Sequence, residues 1–119
     1  MPTKSYKDIT QDLNHNLAKM RKEIPDIMNG FYNLAQAATK DGALSQKTKE
    51  MIALAIGITT HCDGCIGFHT KALIKLGITR EEFLEVLGMT TYMGGGPNLM
   101  SAADALSAYE EFTNNENVP

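Results

Sequence analysis

The sequence has no tryptophan, two cysteines and four prolines in 119 residues. None of its apolar runs approaches the roughly 20 residues that a bilayer span requires. The cysteines, Cys62 and Cys65, lie three positions apart, so a bond between them closes a tiny loop and ties no distant segments together. A disulfide-stapled scaffold is thereby excluded. Basic residues never gather into a dense stretch, and fourteen acidic against eleven basic side chains leave a formal charge of -3. That balance argues against nucleic acid or an anionic membrane as a partner. The opening residues, Met1 to Asp8, lack the apolar core of a signal peptide. The expectation is a soluble cytoplasmic protein, in whose compartment a close cysteine pair serves redox chemistry or metal binding more often than structure.

What is present is ordinary globular material. The hydrophobic fraction of 43%, with ten glycines besides, is far from the disordered regime, and the length fits one domain spanning residues 1–119. Apolar residues recur at helical spacing throughout. Tyr6 to Glu23 carries Ile9, Leu13, Leu17 and Met20, and Pro25 ends it. Asp26 to Lys40 repeats the pattern with Ile27, Phe31, Leu34, Ala35 and Ala38 before breaking at Asp41-Gly42. Ser45 is an N-cap for a third helix reaching about Thr60, which contains the apolar run Met51 to Ile58. A fourth starts near Cys62 and ends at Leu76-Gly77, and Thr79-Arg80-Glu81-Glu82 has capping-box spacing for a fifth. After Gly94-Gly95-Gly96-Pro97 a slim helix with Ala102, Ala103, Ala105 and Ala108 runs to about Phe112. Residues 1–5 and 113–119 are expected to fray. The fold class is all-α, with six helices and no strand pattern.

The chemistry concentrates in His61-Cys62-Asp63-Gly64-Cys65-Ile66-Gly67-Phe68-His69. At a helix entry, Cys62 and Cys65 share a face, and His69 lies on it one turn further on. Unsatisfied backbone N–H groups at the helix start stabilise a thiolate at Cys62. Three readings compete: two packed cysteines, a zinc site recruiting His61 or His69 with a carboxylate, and a thiol redox pair. The redox reading is preferred, because two cysteines fall short of a zinc ligand set and chance rarely sets Cys-x-x-Cys at a helix entry with a histidine in register; a general base on the preceding helix sharpens it. Glu50 is the one carboxylate between Asp41 and Asp63. If helices three and four pair antiparallel around His61, a rise of 1.5 Å per residue offsets Glu50 from His69 by about 4 to 5 Å and from Cys65 by about 10 Å. Glu50 then addresses His69 first, and Glu50 to His69 to Cys65 becomes a proton relay. A carboxylate directly against a thiol would instead oppose thiolate formation.

Glu50, Cys62-x-x-Cys65 and His69 at this spacing resemble the signature of the AhpD-like alkylhydroperoxidases of the carboxymuconolactone decarboxylase superfamily, from about Glu50 to Phe83. The resemblance implies an all-helical fold, trimers or hexamers, and peroxide reduction with no cofactor or metal. It makes Cys65 the attacking thiolate, Cys62 the resolving thiol, and Glu50 with His69 the relay. The implied partners are a hydroperoxide and an external dithiol of lipoamide or thioredoxin type. The chain departs from the family's peroxidases at Gly64, where they carry a histidine, and His61 is an auxiliary candidate for that imidazole. A non-catalytic redox-responsive module and a decarboxylase-like enzyme acting on a small lactone or acid are the alternatives, although the superfamily's decarboxylase branch lacks this cysteine pair.

Elsewhere, the glycine run lacks the Gly-Lys-Ser/Thr and preceding strand of a phosphate loop and reads as a helix break with a proline start. Met20, Met28, Met51, Met89 and Met93 are assigned to core or subunit-interface packing. The slim last helix and small size favour a homo-oligomer.

Overall fold

Side-chain caps determine where the helices begin. The computed structural model describes residues 3–114. Helix α1, Tyr6–Glu23, starts at Ser5, whose hydroxyl accepts from the Asp8 N–H. Helix α2, Pro25–Thr39, has Pro25 at its first position, where no N–H is needed. Helix α3, Gln46–Thr59, is capped by Ser45, which accepts from the Thr48 N–H at 3.1 Å. Helix α4, Asp63–Lys75, is capped by the Cys62 sulfur. In front of α5, Arg80–Asn114, Thr79 and Glu82 form the reciprocal capping box, at 2.9 and 3.0 Å.

Five helices are thus present among the described residues, where six were expected. The expected break at the glycine run is present as a kink inside α5, where Gly95 has φ 70° and ψ -152°, so the two expected segments follow one another with no loop between them. Asn98 stitches the break, its amide donating to the Thr90 carbonyl at 2.9 Å and to the Thr59 hydroxyl, at the end of α3, at 3.1 Å.

Helices α3 and α4 end in the same hydrogen-bonded reversal. After α4, the Ile78 N–H donates to Leu73 O and the Gly77 N–H to Ile74 O, with Gly77 at φ 83°. After α3, the Cys62 N–H donates to Gly57 O and the His61 N–H to Ile58 O, with His61 at φ 55°. Both are Schellman motifs, in which the left-handed position belongs to glycine by default. His61 is the one non-glycine residue with positive φ among the described residues. A side chain there costs roughly 1–2 kcal/mol.

The core gathers Leu54 and Ile58 of α3, Ile66 and Leu73 of α4, and Phe83, Leu87, Ala102, Ala105 and Ala108 of α5, with Tyr6 closing it from α1. The Phe83 and Tyr109 rings meet at 4.7 Å between centroids. Met51 packs against this core, whereas Met20, Met89 and Met93 are exposed. Helix α2 contributes no buried residue: Ile27, Phe31 and Leu34 are 68%, 67% and 63% exposed. Its apolar stripe therefore faces out of the chain.

The start of the chain was expected to fray, but Lys4 and Ser5 are held. Lys4 Nζ bridges Asp63 and Asp104 at 3.1 and 3.0 Å, and the Ser5 hydroxyl and Tyr6 N–H donate to Glu111 at 2.6 and 2.7 Å. Thr113, also expected to fray, lies within α5, while residues 115–119 lie outside the described residues. The buried Tyr6 hydroxyl donates to Asp63 at 3.0 Å. Burial first, and then that carboxylate, push the Tyr6 hydroxyl well above the usual tyrosine range.

A raised folded-state pKa leaves stability intact below the unfolded value and removes it as pH rises beyond. Thermal unfolding midpoints should therefore fall above about pH 10, where unfolded tyrosine ionises. Lys4, raised by Asp104 and Asp63, acts in the same direction. Tyr6→Phe should be less stable than wild type at pH 7, through the lost hydrogen bond, and should show a shallower alkaline decline; an equally steep decline would exclude Tyr6 as a source.

Candidate active site

The buried face of α3 is Glu50, Leu54, Gly57 and Ile58, residues three or four apart that turn toward α4. Near its start that face carries a carboxylate, and near its end it lacks a side chain. Glu50, 7% exposed, accepts a hydrogen bond from His69 Nδ1 at 2.7 Å. An ionised carboxylate only accepts, so Nδ1 carries the hydrogen and Nε2 is left as the basic nitrogen. At the other end, a Cβ on Gly57 would come within 2.9 Å of the Cys65 Cβ, so α4 seats its cysteine turn against bare α3 backbone. These two contacts establish the antiparallel pairing, with the turn at His61 between them.

Cys62 and Cys65 are disulfide-bonded, their Cα atoms 5.2 Å apart. The Cys65 N–H donates to the Cys62 sulfur at 3.1 Å, which places that sulfur at the positive end of the α4 dipole. Asp63 follows immediately, yet its charge is balanced by Lys4, and the Tyr6 hydroxyl donates to the same oxygen. Local carboxylate charge that would oppose thiolate formation is thereby compensated. His69 stands one turn beyond Cys65 on α4.

Of the five residues singled out in the sequence, the structure brings Cys62 to Cys65 and Glu50 to His69. His61 stands apart from Glu50 and His69, at the α3–α4 turn, where its Nδ1 is hydrogen-bonded to Ser101 Oγ of α5 at 2.5 Å. Ser101 was missed, since 40 positions of separation carry no periodic signal. Gly57 was also missed, though its bare backbone decides how closely the cysteine turn approaches α3. Among the described residues no three of His, Cys, Asp and Glu converge to hold a metal ion, and no helix is long and apolar enough to cross a membrane.

The model of the carboxymuconolactone decarboxylase family matches residues 25–108, which include the whole site. The chain belongs to this family. The crystal structure of apo-lpg0406, a carboxymuconolactone decarboxylase family protein from Legionella pneumophila, superimposes with a TM-score of 0.90 at 60% identity over 92% of this chain and 97% of that one. An uncharacterized protein of Cupriavidus necator is 35% identical over 108 residues, 91% of this chain and 96% of its own length. The alkyl hydroperoxide reductase AhpD of Mycobacteroides abscessus is 32% identical over 57 residues, 48% of this chain and 33% of its own length.

Within this family member, the local packing supplies a reason for Gly64. A Cβ there would come within 2.7 Å of Leu13 Cδ1, because α1 lies over the cysteine turn. Gly64→His therefore requires the end of the part-exposed Leu13 side chain to move aside and should destabilise by no more than about 1 kcal/mol. Adding Leu13→Ala should recover part of that loss relative to the two single variants combined, as read from denaturant unfolding. Strict additivity would remove Leu13 as the obstacle.

Proposed function

We propose that the protein is a thiol-dependent peroxidase of the AhpD-like kind. The observation that carries this reading is the Glu50–His69 hydrogen bond one turn from Cys65, beside a cysteine pair already close enough to be bonded. His69, held by Glu50, accepts the Cys65 proton, directly or through water. The Cys65 thiolate attacks a hydroperoxide oxygen; the O–O bond breaks, Cys65 becomes a sulfenic acid, and the departing alkoxide takes the proton to leave as an alcohol. Cys62 then forms the S–S bond with Cys65 and the sulfenic oxygen leaves as water. An external dithiol of lipoamide or thioredoxin type returns the two electrons by thiol–disulfide exchange. The likeness to the Mycobacteroides abscessus reductase supports the peroxidase reading.

Assembly belongs to the same proposal. Among the described residues fifteen large apolar side chains are exposed, and the α2 stripe of Ile27, Phe31 and Leu34 is the best placed for contact with a second copy. A trimer or hexamer is the expected form.

The deciding experiment is steady-state consumption of a hydroperoxide with a dithiol donor. Cys65→Ser should abolish turnover, and Glu50→Gln and His69→Gln should each lower it by about 10²–10⁴-fold, the usual worth of a general base. Consumption unchanged in Cys65→Ser would sink the assignment. Disulfide formation without turnover in the wild type would favour a redox-responsive module instead. Sedimentation should report a molar mass above that of one chain, reduced by Ile27→Asp with Phe31→Asp; a monomeric wild type would refute the assembly.

A further inference from the structure

Two reversals of the same geometry occur in this chain, and they are filled differently. The one after α4 uses Gly77, which accepts the left-handed conformation freely; the one after α3 uses His61, which does not. Strain of this kind persists where the surroundings hold a residue in place, and it concentrates at functional sites. Here the hold is Ser101, whose hydroxyl is hydrogen-bonded to His61 Nδ1. With Nδ1 engaged, Nε2 is the free ring nitrogen of an exposed imidazole directly preceding Cys62.

The Glu50–His69 relay is poorly placed to serve Cys62. His69 stands seven residues along α4 from it, about 10 Å at the helical rise, against about 6 Å from Cys65. Gly64, packed under Leu13, supplies no group between the cysteines. Each cysteine nevertheless needs a proton partner, since a thiol must lose its proton to form the disulfide and regain one when the disulfide is reduced.

We propose that His61 is the proton partner of Cys62 and that Ser101 is its positioning residue, a role that rests on the thiol-redox reading above. When the disulfide forms, neutral His61 takes the proton from Cys62 as its sulfur bonds to Cys65, and that proton leaves with the sulfenic oxygen as water. When an external dithiol reduces the bond, neutral His61 takes the proton that the dithiol's first thiol gives up, the resulting thiolate attacks Cys65, Cys62 departs with the electron pair, and protonated His61 passes that proton to it. The dithiol's second thiol then displaces Cys65, its proton passing to the departing Cys65 sulfur, and the donor leaves as the cyclic disulfide.

The charged surroundings suit this role. Asp63 on α4 and Asp104 on α5 both pair with Lys4, and the Tyr6 hydroxyl donates to Asp63. The last turn of α3 carries no titratable group. The remaining imidazole of the site, His69, is engaged with Glu50.

The test is the rate of reduction of the Cys62–Cys65 disulfide by dithiothreitol, followed by acid quench, alkylation and mass spectrometry from pH 5 to 9. His61→Gly removes the imidazole while relieving the backbone, so its thermal midpoint should equal or exceed the wild-type value. Its reduction near neutral pH should nevertheless be about tenfold slower, with the imidazole inflection of the pH profile diminished. His61→Asn, which also tolerates the left-handed region, should behave alike. Ser101→Ala should slow reduction in the wild-type background and change nothing further in His61→Gly. An unaltered rate and pH profile in both His61 variants would overturn the proposal, as would a Ser101→Ala effect of equal size in both backgrounds. Loss of the peroxidase reading is separable: it would appear as absent peroxide turnover in the wild type, whereas failure here leaves turnover intact and exchange indifferent to His61.

Discussion

The close approach of α3 and α4 is the constraint on which the site depends. Gly57 contributes nothing beyond its backbone, and this lets the turn bearing Cys65 come down onto α3. Seven residues earlier on the same face, Glu50 meets His69. One helix–helix register thus sets both the depth of the cysteine pair and the partner of the histidine. A carboxylate so deeply placed is costly to desolvate unless it is paired, so the Glu50–His69 contact also locks the register that creates it.

A second layer of control comes from the first residues of the chain. Lys4, Ser5 and Tyr6 reach across to Asp63, Asp104 and Glu111, joining the start of α1 to α4 and α5. The exposed ion pairs contribute little stability individually. Their value is local. They balance carboxylate charge at the entrance of α4, where a negative field would work against a thiolate and the helix dipole works for it.

Much of this was legible in the sequence because it depends on local rules. The Ser45 cap, the Thr79–Glu82 box and the Gly77 reversal follow from side-chain chemistry within a few residues. The Glu50–His69 meeting was legible because an antiparallel hairpin turns sequence distance into axial offset. What escaped was the geometry of the third partner. Ser101 meets His61 one turn beyond Asn98, which ties the break in α5 to the end of α3, and nothing in either segment's pattern announces that docking. The expected last helix follows the Gly95 kink directly, because a glycine can reverse one φ without opening a loop. Likewise, the periodicity of α2 correctly announced a helix, but periodicity cannot say whether an apolar stripe finds its cover inside the same chain.

That last feature bears on the life of the newly made polypeptide. Helix α2 gains nothing from the core around Leu54 and Phe83, so a chain can complete that core and still carry Ile27, Phe31 and Leu34 bare to water. Left bare, those side chains make the folded chain resemble the sticky intermediates that aggregate when concentrated. A well-formed core is thus compatible with a surface that invites association.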